Sequence, residues 1–159
     1  MRREDVVNAA RFALGWWNST PDESEANRSE AQVSRIWRSQ LEKRSPGSLS
    51  FEVEPVPESA RSRIDAVDYA TGTAYEFKVS GKNPHHRFFR DIWKVAVLNS
   101  RGGGRITKLV FLVGTPGASD LADTFTQSVR EVAKADMGID VEIVGVSAPV
   151  VVIPDDTDD

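Results

Sequence analysis

Ser62-Arg63-Ile64-Asp65-Ala66-Val67-Asp68-Tyr69-Ala70-Thr71-Gly72-Thr73-Ala74-Tyr75-Glu76-Phe77-Lys78 is the stretch on which the reading of this chain turns. Two short extended segments separated by Gly72 predict a hairpin. Strand side chains alternate between two faces, so Glu76 and Lys78 share one surface while Tyr75, Phe77 and Val79 share the other. Setting a carboxylate and an ammonium beside an apolar strand is costly unless something offsets both charges. A divalent cation and a scissile phosphate would do so, which points to a metal-dependent phosphodiesterase site.

Register decides which aspartate accompanies Glu76, because residues directly opposite in an antiparallel pair point the same way. If Tyr69 faces Ala74, Asp65 lies opposite Lys78 and shares the Glu76 face. If Tyr69 faces Thr73, Asp68 joins Glu76 instead.

Outward from the hairpin, Arg3 to Trp17 carries Val6, Ala10, Ala13, Leu14 and Trp17 at helical spacing. Thr20-Pro21-Asp22-Glu23 has the cap, proline and acid of a second helix start, and Val33, Ile36, Trp37 and Leu41 give that helix a buried stripe as far as about Arg44. Extended segments are expected at Leu49–Val56, Arg63–Tyr69 and Thr73–Ser80, as an antiparallel meander. Asn83-Pro84 caps and opens a helix with Phe88, Phe89, Ile92, Trp93, Ala96 and Val97 on its apolar face, stopped at Arg101-Gly102-Gly103-Gly104. The unbroken apolar run Leu109–Val113 predicts a central strand. A helix over about Ser119–Asp136, striped by Leu121, Phe125, Val129 and Val132, leads to a strand over Ile139–Val146, and strand-helix-strand implies a parallel pair. The expected fold is α/β, a mixed sheet of about five strands with helices on both faces.

At 159 residues and 40% hydrophobic content the chain fits one domain, residues 1–148, with an N-terminal helix over 1–20 and a core over 21–148. Residues 149–159 are composed like a disordered acidic tail. There is no cysteine, so a metal would take oxygen or imidazole ligands. No apolar run is long enough for a membrane span, and the expected compartment is the cytoplasm. The net charge of -4 equals the contribution of Asp155, Asp156, Asp158 and Asp159. Between Lys78 and Lys108, by contrast, Lys78, Lys82, Arg87, Arg90, Lys94, Arg101, Arg105 and Lys108 face the single acid Asp91. Such local excess suits a polyanion, although a solvated helix face would look the same.

This element order, with Asp65, Glu76 and Lys78, resembles the PD-(D/E)XK nuclease superfamily over roughly residues 25–147, which implies a restriction-endonuclease-like fold. Proline is absent before the aspartate, where Ile64 stands. The resemblance implies that Asp65 and Glu76 hold Mg2+, with Mn2+ able to substitute, and that Lys78 positions or activates the attacking water. Family spacing favours Asp65 over Asp68. Glu30 matches an accessory carboxylate from the preceding helix, sharing the face of Val33 and Trp37, and an ordinary capping glutamate fits it equally.

Lys82, His85, His86, Arg87, Arg90 and Lys94 are the candidate contacts to nucleic acid, with Arg87, Arg90 and Lys94 forming one helical row. The two histidines would be merely solvated in the alternative. Trp16, Trp17, Trp37 and Trp93 could stack on bases, but their helical stripes favour the core, and Gly102-Gly103-Gly104 follows a helix rather than opening one, unlike a phosphate cradle. The resulting expectation is a Mg-dependent endonuclease on duplex DNA, in restriction, defence or repair. It would act as a homodimer where both strands are cut. The alternative is a catalytically inactive nucleic-acid-binding module or nuclease-complex subunit with the same fold.

Overall fold

The computed structural model describes residues 1–19, 30–57, 62–79, 83–102 and 104–148. Along them run α1 (Arg3–Ser19), α2 (Glu30–Arg44), β1 (Ser50–Val53), β2 (Ile64–Asp68), β3 (Thr73–Lys78), α3 (Pro84–Ser100), β4 (Lys108–Gly114), α4 (Thr115–Asp120), α5 (Thr124–Met137) and β5 (Asp140–Val146). The strands lie side by side in chain order. β1, β2 and β3 pair antiparallel, and β3, β4 and β5 pair parallel. The parallel pairs need crossovers, which α3 and then α4 with α5 provide. This is the expected mixed five-stranded α/β sheet. No described helix is long and apolar enough to cross a membrane.

Alternation along β4 explains the two layers of core. Val110 and Leu112 join Tyr75 and Phe77 beneath α1 and α2, whereas Leu109, Phe111 and Val113 join Ala74 and Val67 beneath α3. Every residue of this run is buried because both faces of its strand are covered. On the first side Trp37 ties the layers together. Its indole N–H donates to Val6 O at 3.3 Å, and its ring lies 5.4 Å from that of Phe77. On the second side Phe88, Ile92, Val95 and Leu98 supply the apolar arc of α3.

Three expectations need correction. The helix foreseen over 119–136 is two helices, because Asp123 Oδ1 accepts from Thr126 N–H at 2.6 Å and starts α5 afresh. Local capping overrides the apolar period there, and Phe125 and Val132 are exposed. Trp93, assigned to the core, is 61% exposed. The buried arc of α3 includes Asp91 and Lys94 as well as Ile92 and Val95, which puts Trp93 on the opposite side of the helix. Trp93, Phe125, Phe89 and Val129 instead line an apolar groove of about 430 Å³ between α3 and α5. Finally, Asn83 makes no side-chain cap and adopts a left-handed φ of 49°, although Pro84 opens α3 as expected. The Thr20–Glu23 helix start, Lys82, Gly103 and the acidic tail lie outside the described residues.

Gly72 joins the hairpin to the parallel part of the sheet. Its carbonyl accepts from Thr107 N and Lys108 N at 2.9 and 3.1 Å, its φ is 64°, and a Cβ there would stand 2.9 Å from Arg105 O. Both the left-handed backbone and the fixed neighbouring carbonyl oppose any side chain. Gly72→Ala is expected to lower the unfolding free energy by about 2 kcal/mol or more. Urea denaturation checks this, and a loss below ~0.5 kcal/mol, the range of an ordinary surface substitution, would contradict it.

Candidate active site

Glu76 and Lys78 point from β3 toward α3, and α3 answers with Asp91 and Lys94, which are three residues apart and so on one face. The four side chains close into an alternating ring. Lys78 Nζ lies 2.7 Å from Glu76 Oε2 and 3.0 Å from Asp91 Oδ2. Lys94 Nζ lies 2.7 Å from Asp91 Oδ1 and 2.9 Å from Glu76 Oε1. Lys94 also donates to Arg63 O at 2.7 Å, which ties the ring to the start of β2. Glu76 and Asp91 are both fully buried. Neither Asp91 oxygen has a hydrogen bond of good geometry, so charge alone holds that carboxylate. Desolvating four ions is costly, and each charge is offset by having two opposite neighbours.

Asp65 stands beside this ring. Register runs Ala66↔Tyr75, Val67↔Ala74, Asp68↔Thr73, and one further step of it would bring Asp65 level with Glu76. That is neither of the two foreseen registers, yet Asp65 lies close enough to Glu76 for its charge to act there. The paired register ends at Ala66, and Asp65 Oδ2 accepts the Phe77 N–H at 2.8 Å. A side chain has taken the place of a ladder acceptor, so β2 and β3 part at this point. The strand's phase breaks here too. Ala66 packs under α1 and α2, but Ile64, which simple alternation would place with it, packs under α3. On β1, Glu52 sits between the partners of Ala66 and Ile64 with a left-handed φ of 52°. The break therefore spans both strands.

Asp68 is removed from the contest. It is buried on the other side of the sheet, where Oδ2 meets the Met1 terminal amine at 2.8 Å and Oδ1 accepts from Ala70 N and Thr71 N. Its carboxyl lies below the usual range: burial would raise it, but the terminal amine and the Thr71 bonds prevail.

Electrostatics distinguish the members of the site. Burial pushes the Glu76 carboxyl up to about 8; Asp65 and Asp91 add to the shift, and Lys78 and Lys94 oppose it. Burial would lower the Lys78 ammonium, yet Glu76, Asp65 and Asp91 together hold it above the ordinary lysine range. The two shifts share one cause: three carboxyls, Asp65, Glu76 and Asp91, face two ammoniums, so the burial of Glu76 is only partly offset while Lys78 is held charged. Arg90, with its Nε 3.9 Å from Asp91 Oδ1 and its side chain half exposed, is too solvated to make up the deficit.

The basic row of α3 is not a row toward solvent. Lys94, assigned to nucleic acid, is only 7% exposed and belongs to the ring. Arg87 faces Glu30 at 3.3 Å, and His85 Nε2 contacts Asp123 Oδ2 at 2.5 Å. Arg90 and His86 are exposed. Glu30 opens α2 nearly half exposed, at the outer end of the stripe of Val33 and Trp37, and is not among the four side chains of the ring. Asp91 was not foreseen as a site residue, and Lys94 was foreseen in a different role. Their signal was an acid-base pair at i,i+3 straddling Ile92, inside the buried arc of an apolar helix.

Among the described residues no group of three acidic or imidazole side chains is arranged to hold a metal ion. Asp65 and Glu76 nevertheless fit a hard cation in donor type: adjacent-strand carboxylates, in a buried cluster short of positive charge. Magnesium needs only one or two protein carboxylates beside water and phosphate. Comparison of the chain with protein-family models, with curated proteins and with solved structures gives no match.

Two outcomes follow from the ring. Lys94→Met leaves Glu76 and Asp91 short of an ammonium and is expected to cost about 3–5 kcal/mol of stability, measured by denaturation; a simple phosphate-contacting lysine would cost almost nothing. For Glu76, the unfolded chain releases its proton near 4.5 while the folded state keeps it until about 8. The folded state thus binds more protons in that window, and this group's contribution to stability falls as pH rises through it. Stability measured between pH 5 and 8 is expected to decline less in Glu76→Gln than in the wild type. An equal decline would assign the slope to other groups.

Proposed function

We propose that the chain is a metal-dependent endonuclease of the PD-(D/E)XK type, hydrolysing phosphodiester bonds in DNA with Asp65, Glu76 and Lys78. The observation that carries this reading is Asp65 at the parting of β2 and β3, bound to the Phe77 N–H between Glu76 and Lys78 and near enough to act on both of their charges. Helix, antiparallel meander, helix and parallel strand in that order support the restriction-endonuclease-like fold that the motif implies.

Asp65 and Glu76 would hold Mg2+ or Mn2+, which when bound supplies charge for the phosphoryl oxygens and a water acidic enough to attack at neutral pH. The chain's own residues do the rest. Asp65 is fixed by the Phe77 N–H, so its remaining oxygen has a defined direction. Lys78, kept protonated by its carboxylate neighbours, orients the attacking water and stabilises negative charge on the phosphate. The core around Phe111 excludes bulk water, which strengthens each of these interactions. Among the described residues Arg90 and His86, exposed on α3, remain as candidates for backbone contacts. Cutting both strands of a duplex would call for a homodimer. Restriction, defence or repair would all use this chemistry.

One observation favours a second reading, a nucleic-acid-binding module or nuclease-complex subunit without turnover. Glu76 is fully buried with an ammonium on each oxygen, a closed arrangement that stands without a cation. Incubating the protein with supercoiled plasmid and linear duplex, with magnesium, manganese or chelator, separates the two. Cleavage that requires metal and falls at least about 100-fold in both Glu76→Gln and Lys78→Ala is expected. Salt-sensitive binding without any cleavage would leave the module.

A further inference from the structure

The ring treats its two carboxylates alike: Glu76 and Asp91 each receive both Lys78 and Lys94, one ammonium per oxygen. Glu76 has a further carboxylate beside it on the neighbouring strand, Asp65, which is held by the Phe77 N–H and acts on the Glu76 charge. Asp91 comes from α3, is fully buried, and has no hydrogen bond of good geometry to keep it in place. Beyond the two ammoniums, only the half-exposed Arg90 among the described residues comes within ion-pair distance of it, so its close contacts are those with Lys78 and Lys94.

We propose that Asp91 is a positioning residue, a fixed second seat that retains the Lys78 and Lys94 ammoniums when Glu76 turns from them to share a cation with Asp65. This rests on the nuclease reading above and deepens it.

The physical case is one of exchange between partners. For Glu76 to serve as a ligand its oxygens have to be released from Lys78 Nζ and Lys94 Nζ, at 2.7 and 2.9 Å. Without another anion that release would strand two buried ammoniums with no compensating charge. With Asp91 Oδ2 and Oδ1 already 3.0 and 2.7 Å from the same nitrogens, neither ammonium loses all of its charge compensation. Lys78 then stays next to the reacting phosphate as a cation, and Lys94 keeps its bond to Arg63 O. Among the described residues the other charged groups beside the ring are Asp65 on β2 and Arg90 on α3, and neither can replace Asp91. Asp65 is the proposed partner ligand, and Arg90 is itself a cation.

The test uses the whole chain and calcium, which binds oxygen sites of this kind without needing turnover to be seen. Calorimetry gives the affinity, and the lysine ammonium signals in a proton-nitrogen spectrum report whether Lys78 and Lys94 remain held. The wild type is expected to bind calcium and to keep both ammonium signals. Asp91→Asn is expected to bind calcium about tenfold more weakly and to lose those signals as calcium is added, whereas Asp91→Glu should restore them. Should Asp91→Asn not fold, the double variant Asp91→Asn with Lys94→Met removes anion and cation together, and loss of the Lys78 signal on adding calcium is the expected result there. Calcium binding with both signals unchanged in the Asp91 variants would overturn the positioning role alone, leaving the nuclease reading intact. Absence of calcium binding and of cleavage in the wild type would overturn both.

Discussion

Placing Glu76 under α3 is the constraint around which the molecule is arranged. An unaccompanied carboxylate at that depth would not remain ionised, and its burial would oppose folding. α3 therefore cannot present a purely apolar underside to the sheet. It contributes Asp91 and Lys94 between Phe88, Ile92 and Val95, and its orientation about its own axis is set by that polar pair as much as by the apolar contacts. The exposure of Trp93 and the apolar groove beside α5 follow from the same rotation.

The second organising feature is the parting of β2 and β3. A regular hairpin would continue its ladder past Ala66 and stand Asp65 upright on one face. Instead the carboxylate takes the Phe77 N–H, Ile64 changes side, and Glu52 across β1 absorbs the change in a left-handed conformation. Strain of this kind persists only where the surroundings enforce it, and here the Arg38 ion pair on Glu52 helps to do so. The result is a carboxylate anchored at one oxygen opposite a buried, charge-deficient ring.

Much of the architecture was legible beforehand, for identifiable reasons. The run Leu109–Val113 could only be a doubly covered strand, Val6 to Leu14 and Val33 to Leu41 kept a helical period, and Gly72 marked the hairpin turn. Failures occurred where a local polar group competed with that period. Asp123 restarted a helix that the apolar stripe carried straight through, and the polar pair Asp91 and Lys94 turned α3 away from the stripe containing Trp93. Charge counting failed for a related reason. A basic excess along a segment does not say which side chains face water, and Lys94 and Arg87 spend theirs on Glu76, Asp91 and Glu30.

By itself the sequence determined the alternation that puts Glu76 and Lys78 on one surface, the mixed order of strands and crossover helices, and the absence of thiolate ligands. Those are properties of neighbours along the chain, set by period and composition. Only the tertiary structure decided that Asp65 and not Asp68 lies beside Glu76, that Lys94 is a core residue, and that Asp91 closes a ring of four charges. Each of these depends on strand register or on the rotation of a helix about its axis. Such quantities are settled by how distant segments pack and where buried charges find partners.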